Sequence, residues 1–298
     1  MLKRFMTAFL ALCLLVICFI PGTAAYAEAA EKKATKEQPK IEKVSDTEMR
    51  MFVQRDEETI FCKVHLPEGK EKCPALIMAS GLHASFTTCE DFARAMAKSG
   101  IVGIVFDFCG AVFPSKSTGD MTDMSIETEI ADLLAVLDAV STLPRVDPDN
   151  IFIGGHSFGG LVAALTATRR PDDIKGLLLV EPSFQLPDQV RTLLPEGTEI
   201  PDKMVEPIFC GGDFLRTMID LDPYETLPDY PGKTVIYAGG VSPSIGADEP
   251  QLLERAAETF PDAELISFPK ADHGFRGSVR ADLIKQMKTF ILENAEEK

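Results

Sequence analysis

Tryptophan is absent, and histidine occurs only four times and cysteine seven times in 298 residues. With no CxxC pair and no Cys/His cluster at metal-ligand spacing, the sequence argues against a disulfide scaffold and against a zinc site. Basic residues are few beside the acidic ones, 30 Lys and Arg against 46 Asp and Glu, for a net charge of −16. A surface of that sign repels phosphate backbones and anionic lipid faces, which argues against nucleic-acid binding. After residue 20 no apolar run is long enough to cross a bilayer. Hydrophobic residues at 45% and charged residues at 26% exclude a disordered or fibrous chain, and the length suits one large domain.

What is present begins with an address. Lys3 and Arg4 precede an apolar run from Phe5 to Ile20, and small residues follow as far as Ala25-Tyr26-Ala27. A basic start, an apolar middle and an A-x-A site predict a secretory signal peptide over 1–27, cut near Ala27, and so an exported protein. An uncleaved membrane anchor is the alternative. Cleavage removes Cys13 and Cys18 and leaves a net charge of −18. Cys62, Cys73, Cys89, Cys109 and Cys210 then remain, an odd set that leaves at least one thiol unpaired within the chain; they read as small buried hydrophobes.

Residues 28–46 are charged and lack periodicity, and read as a solvated linker. From residue 47 to 298 apolar strand-like runs alternate with helical patterns. Strands are expected over 59–66, 75–79, 101–106, 151–153, 174–180, 234–238 and 264–268. Helices are expected over 91–99, 126–140, 161–168, 251–260 and 279–293, the second with Ile126, Ile130, Leu133, Leu134, Leu137 and Val140 on one face. Uncharged strands alternating with amphipathic helices predict an α/β domain with a largely parallel sheet covered on both faces. The stretch 182–232 breaks the rhythm, with many Pro and acidic residues and only short helical patches such as 214–219. It reads as a small lid over the C-terminal edge of the sheet, where such sheets place their sites.

Ile151-Phe152-Ile153 leads into Gly155-His156-Ser157-Phe158-Gly159 and then a helical pattern. A strand, a G-x-S-x-G turn and a helix make a nucleophile elbow, which presents the Ser157 hydroxyl above the sheet. A merely glycine-rich packing turn is the bland reading. Phosphate cradling lacks its Lys and its glycine spacing. A serine nucleophile needs a base. His65 lies on an early strand, His156 diverges from the serine beside it, and His83 follows the 75–79 strand. His273, between the last strand and the last helix, matches the chain order of serine then late histidine and is the expected base. The oxyanion needs two backbone donors. The amides of Phe158, just after the nucleophile, and Leu82, in Ser80-Gly81-Leu82-His83-Ala84, are the candidates.

These segments, together with Phe106-Asp107-Phe108-Cys109-Gly110, Asp120-Met121-Thr122, Pro182-Ser183-Phe184, Gly211-Gly212-Asp213-Phe214 and Ala271-Asp272-His273-Gly274-Phe275, resemble the α/β-hydrolase superfamily. Within it they resemble the bacterial cinnamoyl (feruloyl) esterase-like serine esterases. The resemblance implies an α/β-hydrolase fold with a mostly parallel eight-stranded sheet, a serine–histidine–acid triad, a small-molecule carboxylic-ester substrate and no cofactor or metal. Three positions depart from the pattern. Cys109 stands where the family usually has Arg, and the oxyanion loop begins Ser80-Gly81 instead of His-Gly. The acid normally found after the strand 235–238 is replaced by Ser242, in a loop longer than usual.

Four carboxylates compete for the vacant role. Asp248 follows Ser242 but precedes a helical pattern with Gln251, the signature of a capping residue. Asp272 adjoins His273 and points away from its ring, and the resemblance gives Asp107 a structural part. Glu181 ends the 174–180 strand directly before Pro182, the place where pancreatic lipases of the wider superfamily carry their acid. A Glu there must reach across a strand spacing of about 4.8 Å, and without a partner it is costly to bury. Glu181 is therefore expected to orient His273, with Asp248 as runner-up. The function expected is an exported serine esterase for a small aryl or short-chain acyl ester. The alternatives are a non-catalytic binding protein with a decayed triad, or a thioesterase or peptidase using the same serine. Oligomeric state is left open.

Overall fold

The computed structural model describes residues 38–69, 71–111, 115–200, 202, 210–241 and 249–295. The expected signal peptide, the first part of the expected linker, Ser242 and Asp248 lie outside the described residues.

Inside the remainder of the expected linker, β1 (Lys40–Lys43) forms an edge strand, pairing antiparallel with β2 (Glu48–Arg55), which in turn pairs with β3 (Glu58–His65). Neither β1 nor β2 is among the strands expected from sequence, although β2 carries the signal: Met49, Met51 and Val53 alternate with Arg50, Phe52 and Gln54, and Met51 and Val53 are buried. The chain then runs through β4 (Cys73–Ala79), α1 (Glu90–Ala97), β5 (Val102–Phe106) and α2 (Ile126–Ser141). It continues with β6 (Val146–His156), α3 (Phe158–Arg169) and β7 (Gly176–Val180). After α4 (Leu186–Leu193) and α5 (Gly212–Ile219) come β8 (Lys233–Val241), α6 (Glu249–Thr259), β9 (Ala263–Asp272) and α7 (Ser278–Asn294).

The sheet order is β1-β2-β3-β5-β4-β6-β7-β8-β9, antiparallel across the first three pairs and parallel from β5 to β9. It has nine strands where eight were expected, because β1 extends the edge. Side chains alternate between its faces. Ala75, Ile77 and Ala79 of β4 and Leu177 and Leu179 of β7 pack in one core with α2, α3 and the insertion. Leu76, Met78, Leu178 and Val180 pack in the other with α1 and α7. Both faces are covered, which is why the central strands read as continuous apolar runs.

Two local devices aim the chain at the sheet's C-terminal edge. Ser125 and Thr128 close a capping box at the start of α2, whose face of Ile126, Ile130, Leu133, Leu137 and Val140 is buried while Leu134 is only partly so. In the stretch 182–232 the structure forms two full helices, α4 and α5, more than the short patches expected; Pro187 falls in the first turn of α4, where a missing N–H costs nothing.

Candidate active site

Strand β6 delivers Ser157 at φ +58°, ψ −123°, a strained conformation for a residue with a side chain. The glycines around it are required by contact. A Cβ at Gly155 would lie 2.1 Å from the Gly159 carbonyl oxygen, and one at Gly159 would lie 2.4 Å from Ser80 O and 2.5 Å from Ala79 O. The turn is held by the Ser157 N–H donating to Val180 O at 2.9 Å and by Ser157 O accepting from Gly160 N at 2.9 Å.

His273 follows β9, and its Nδ1 lies 3.3 Å from Glu181 Oε2, with Glu181 almost fully buried. The other carboxylate oxygen, Oε1, accepts from Gly239 N at the end of β8. Glu181 itself sits at φ +47°, its N–H bonded to Tyr237 O at 2.9 Å. The carboxylate thus leans from β7 across the end of β8 to the loop after β9, and that backbone amide fixes it there. The sheet brings Ser157, His273 and Glu181 to neighbouring strand ends, while Asp272 is spent on the Arg276 N–H at 2.9 Å. No hydrogen bond joins Ser157 Oγ to the His273 ring in this resting arrangement; such bonds are often long without substrate and tighten on binding.

The two amides proposed for the oxyanion have no acceptor among the described residues. Phe158 is the first residue of α3, where helix amides are unpaired. The loop carrying Leu82 passes against the nucleophile, since a Cβ at Gly81 would lie 3.3 Å from Ser157 Cβ. Asp107 holds the neighbouring chain, accepting from Phe86 N at 2.7 Å and Lys116 N at 2.8 Å. The Phe158 ring packs against Phe214 of α5, 5.6 Å between centroids, so the insertion meets the site at its donor residue.

One further histidine lies beside the base, its ring centroid 4.9 Å from that of His273. His156 turns away from Ser157, and its Nε2–H donates to the backbone carbonyl of His273 at 2.8 Å. Burial pushes the His156 imidazole down to about 4, so it is neutral near pH 7 and holds that tautomer. The next carbonyl, Gly274 O, accepts from Arg280 Nη1 at 3.2 Å. His83, at φ +58°, lies with Nε2 3.8 Å from Cys210 Sγ. Burial, followed by the nearby Glu129, pushes the Cys210 thiol up to about 12, which keeps it protonated and unsuited to nucleophilic attack. Among the described residues, Cys62, Cys73, Cys89, Cys109 and Cys210 are free thiols. Among the described residues, no group of three His, Cys, Asp or Glu side chains could hold a metal ion, and no helix is long and apolar enough to cross a membrane.

Sequence reasoning did not find the anchor made by His156, the clamp from Arg280, or Ser183. The Ser183 Oγ lies 3.1 Å from Ser157 Oγ. Nothing in the linear spacing reports these contacts.

A family model described as serine aminopeptidase, S33, matches residues 70–269. NocK of Nocardia uniformis subsp. tsuyamanensis is 28% identical over 197 residues, covering 65% of this chain and 51% of NocK. The sn-1-specific diacylglycerol lipase of Mus musculus is 24% identical over 275 residues, 76% of this chain and 84% of the lipase. The matched stretch therefore spans about half of NocK's length and most of the mouse lipase. Among solved structures, Est1E from Butyrivibrio proteoclasticus with ferulic acid bound superposes with a TM-score of 0.73 at 22% identity, over 82% of this chain and 98% of Est1E. That likeness shows the fold.

Proposed function

Because the chain belongs to the α/β-hydrolase family described as serine aminopeptidase, S33, a fold that houses esterases and lipases, we propose that it is an exported serine hydrolase that cleaves a small carboxylic ester through an acyl-enzyme. The observation that carries this reading is the buried Glu181 carboxylate bonded to His273 beside a serine strained into the elbow.

In the proposed reaction Ser157 Oγ attacks the ester carbonyl carbon while its proton passes to His273 Nε2. The carbonyl pair moves onto oxygen, which the amides of Leu82 and Phe158 receive. As the intermediate collapses, His273 returns the proton to the departing alcohol. Water then repeats the sequence on the acyl-enzyme. Glu181 fixes the His273 tautomer, keeping Nδ1–H inward and Nε2 free to accept, and stabilises the imidazolium that forms. The ferulic acid bound by Est1E supports an aryl acyl group, and the lipase name of the mouse relative supports cleavage of a carboxylic ester. A binding protein with a decayed triad is favoured less, because the acid missing at Ser242 has a substitute in Glu181, which meets His273 Nδ1 from the end of β7.

The test is labelling with a fluorophosphonate together with turnover of p-nitrophenyl acetate, a feruloyl ester, an acyl thioester and an aminoacyl-nitroanilide, comparing wild type with Ser157→Ala. The reading expects label and ester turnover in wild type, both lost in Ser157→Ala. A protein that takes no label and turns over no ester overturns it. Preference for the thioester or the anilide replaces the ester by that substrate. Export predicts that protein recovered outside the cytoplasm lacks residues 1–27 by intact mass; retention of that segment overturns it.

A further inference from the structure

The nucleophile's hydroxyl has one neighbour that the triad does not account for. Ser183 Oγ lies 3.1 Å from Ser157 Oγ, and Ser183 is buried at 6% exposure. Among the described residues, Ser157 Oγ is the only polar partner of that hydroxyl.

The backbone around Ser183 leaves little room for this to be incidental. Ser183 N–H donates to Ser157 O at 3.0 Å, so the two serines are tied to each other through the main chain as well as through their side chains. Ser183 O accepts from Leu186 N at 3.1 Å, and Phe184 N donates to Pro182 O at 2.9 Å. Pro182 has its φ set by its ring and lies against the first turn of α3, where a Cβ at Gly160 would come within 2.9 Å of Pro182 Cα and Cβ. Glu181, one residue earlier, is held by its own bonds to Tyr237 O and Gly239 N. The segment that delivers the acid therefore also delivers a hydroxyl to the nucleophile, in a fixed position.

Resting on the esterase reading above, we propose that Ser183 is a catalytic residue whose hydroxyl donates a hydrogen bond to Ser157 Oγ throughout the reaction. The two hydroxyls share one contact, and either can donate in the resting protein. Only one arrangement is productive. If Ser157 donates to Ser183, its proton is turned away from His273. If Ser183 donates, the Ser157 proton is free to point at His273 Nε2. Charge makes the same choice. Negative charge gathers on Ser157 Oγ as its proton moves to His273 ahead of the new C–O bond. It gathers there again when Oγ departs with the bonding pair in deacylation, before His273 returns a proton. An anionic oxygen accepts and does not donate, so the Ser183 bond is strongest where the barrier lies. Ser183 gives up no proton and forms no covalent bond. Its oxygen is already held beside Ser157 Oγ by the main chain, so only the hydroxyl torsion has to turn as charge develops.

The experiment compares wild type, Ser183→Ala and Ser183→Cys in steady-state ester hydrolysis, in the rate of Ser157 labelling by a fluorophosphonate, and in the decay of a preformed acyl-enzyme. Each variant is also checked by its melting temperature. Ser183→Ala is expected to lower kcat, labelling rate and deacylation rate together by about 10- to 100-fold, the size of one hydrogen bond to a charged group. KM is expected to hold within about twofold, as for an interaction made in the transition state. Ser183→Cys, a weaker donor, falls between, and the pH profile of kcat keeps its shape. Should Ser183→Ala melt below the assay temperature, the Ser183→Cys comparison decides. A Ser183→Ala protein with wild-type kcat and labelling rate, or with its loss confined to KM, overturns the assignment and leaves the esterase reading intact. A wild type without turnover overturns the reading beneath it.

Discussion

At the scale of residues, four non-glycine positions in or beside the site adopt a left-handed backbone: His83, Ser157, Glu181 and Phe275. Each is disfavoured on its own, and they persist because surrounding bonds over-determine them. For Glu181 those bonds are the Tyr237 carbonyl, the Gly239 amide and the His273 ring. Its burial at 1% exposure means that the carboxylate's orientation is set by its protein partners. Glu181→Gln keeps the shape but offers an NH2 group where His273 Nδ1–H needs an acceptor, so the ring is held in the wrong tautomer. The expected outcome is a fall in kcat of about 10³- to 10⁴-fold with KM little changed, measured on the ester that wild type turns over best. Near-normal kcat in this variant would remove Glu181 from the mechanism.

At the scale of elements, the site is a meeting of strand ends with the first turn of α3. That helix starts directly at the nucleophile and presses its first turn on β4, so that Gly159 touches the carbonyls of Ala79 and Ser80. One close approach thereby sets both the helix and the loop that carries Leu82. Gly159→Ala forces a methyl to within 2.4 Å of Ser80 O, and backbone has to move. The expected loss of stability is about 1 to 3 kcal/mol by denaturant unfolding. Activity is expected to fall by about 10²-fold or more, because the two oxyanion amides no longer converge. If the variant keeps wild-type kcat, the contact does not set the oxyanion geometry. On the opposite side, Arg280 of α7 binds Asp91, Thr88 O and Gly274 O, tying the base's loop to α1 and the turn before it.

At the scale of the whole molecule, a surplus of negative charge is carried mostly outside, but several carboxyl groups lie inside, among them Asp107, Glu129, Asp132 and Glu181. Glu129 of α2 is fully buried with both carboxylate oxygens lacking a hydrogen-bond partner. Asp132 one turn on is met by Arg55 and accepts from Cys109 N at 2.7 Å. Burial, and after it the Asp132 charge, holds the Glu129 carboxyl well above its usual value of 4.5, with Arg55 opposing. A carboxyl raised in the folded state binds a proton that the unfolded chain releases. Its contribution is fully present below about pH 4.5 and is lost as pH rises toward its folded value. Glu129→Leu removes that slope. Its melting temperature is expected to exceed wild type by a margin that grows from pH 5 to pH 8, reaching about 1 kcal/mol or more in stability. Melting curves at several pH values check this, and a constant or negative difference would mean that Glu129 is ionised and compensated.

How much of this was legible beforehand differs by element. The alternation of strands and helices and the G-x-S-x-G turn at 155–159 follow from local pattern, since periodicity and turn chemistry are properties of neighbours in sequence, whereas His273 is reached through the hydrolase chain order and Glu181 only by elimination and by resemblance to other hydrolases. The hairpin β1–β2 escaped because Lys40, Glu42 and Lys43 look like solvated linker until β2 lies beside them, and β6 begins at Val146, well before its apolar core. The long-range contacts belong to the folded chain alone. His156 reaches the His273 carbonyl across 117 positions, Arg55 reaches Asp132 across 77, and Ser183 meets Ser157 across 26. No periodicity encodes such distances. They arise when parallel strands β6 to β9 bring their C-terminal ends into one row, and a hydrogen bond becomes decided only once the packing has fixed which two atoms lie within about 3 Å.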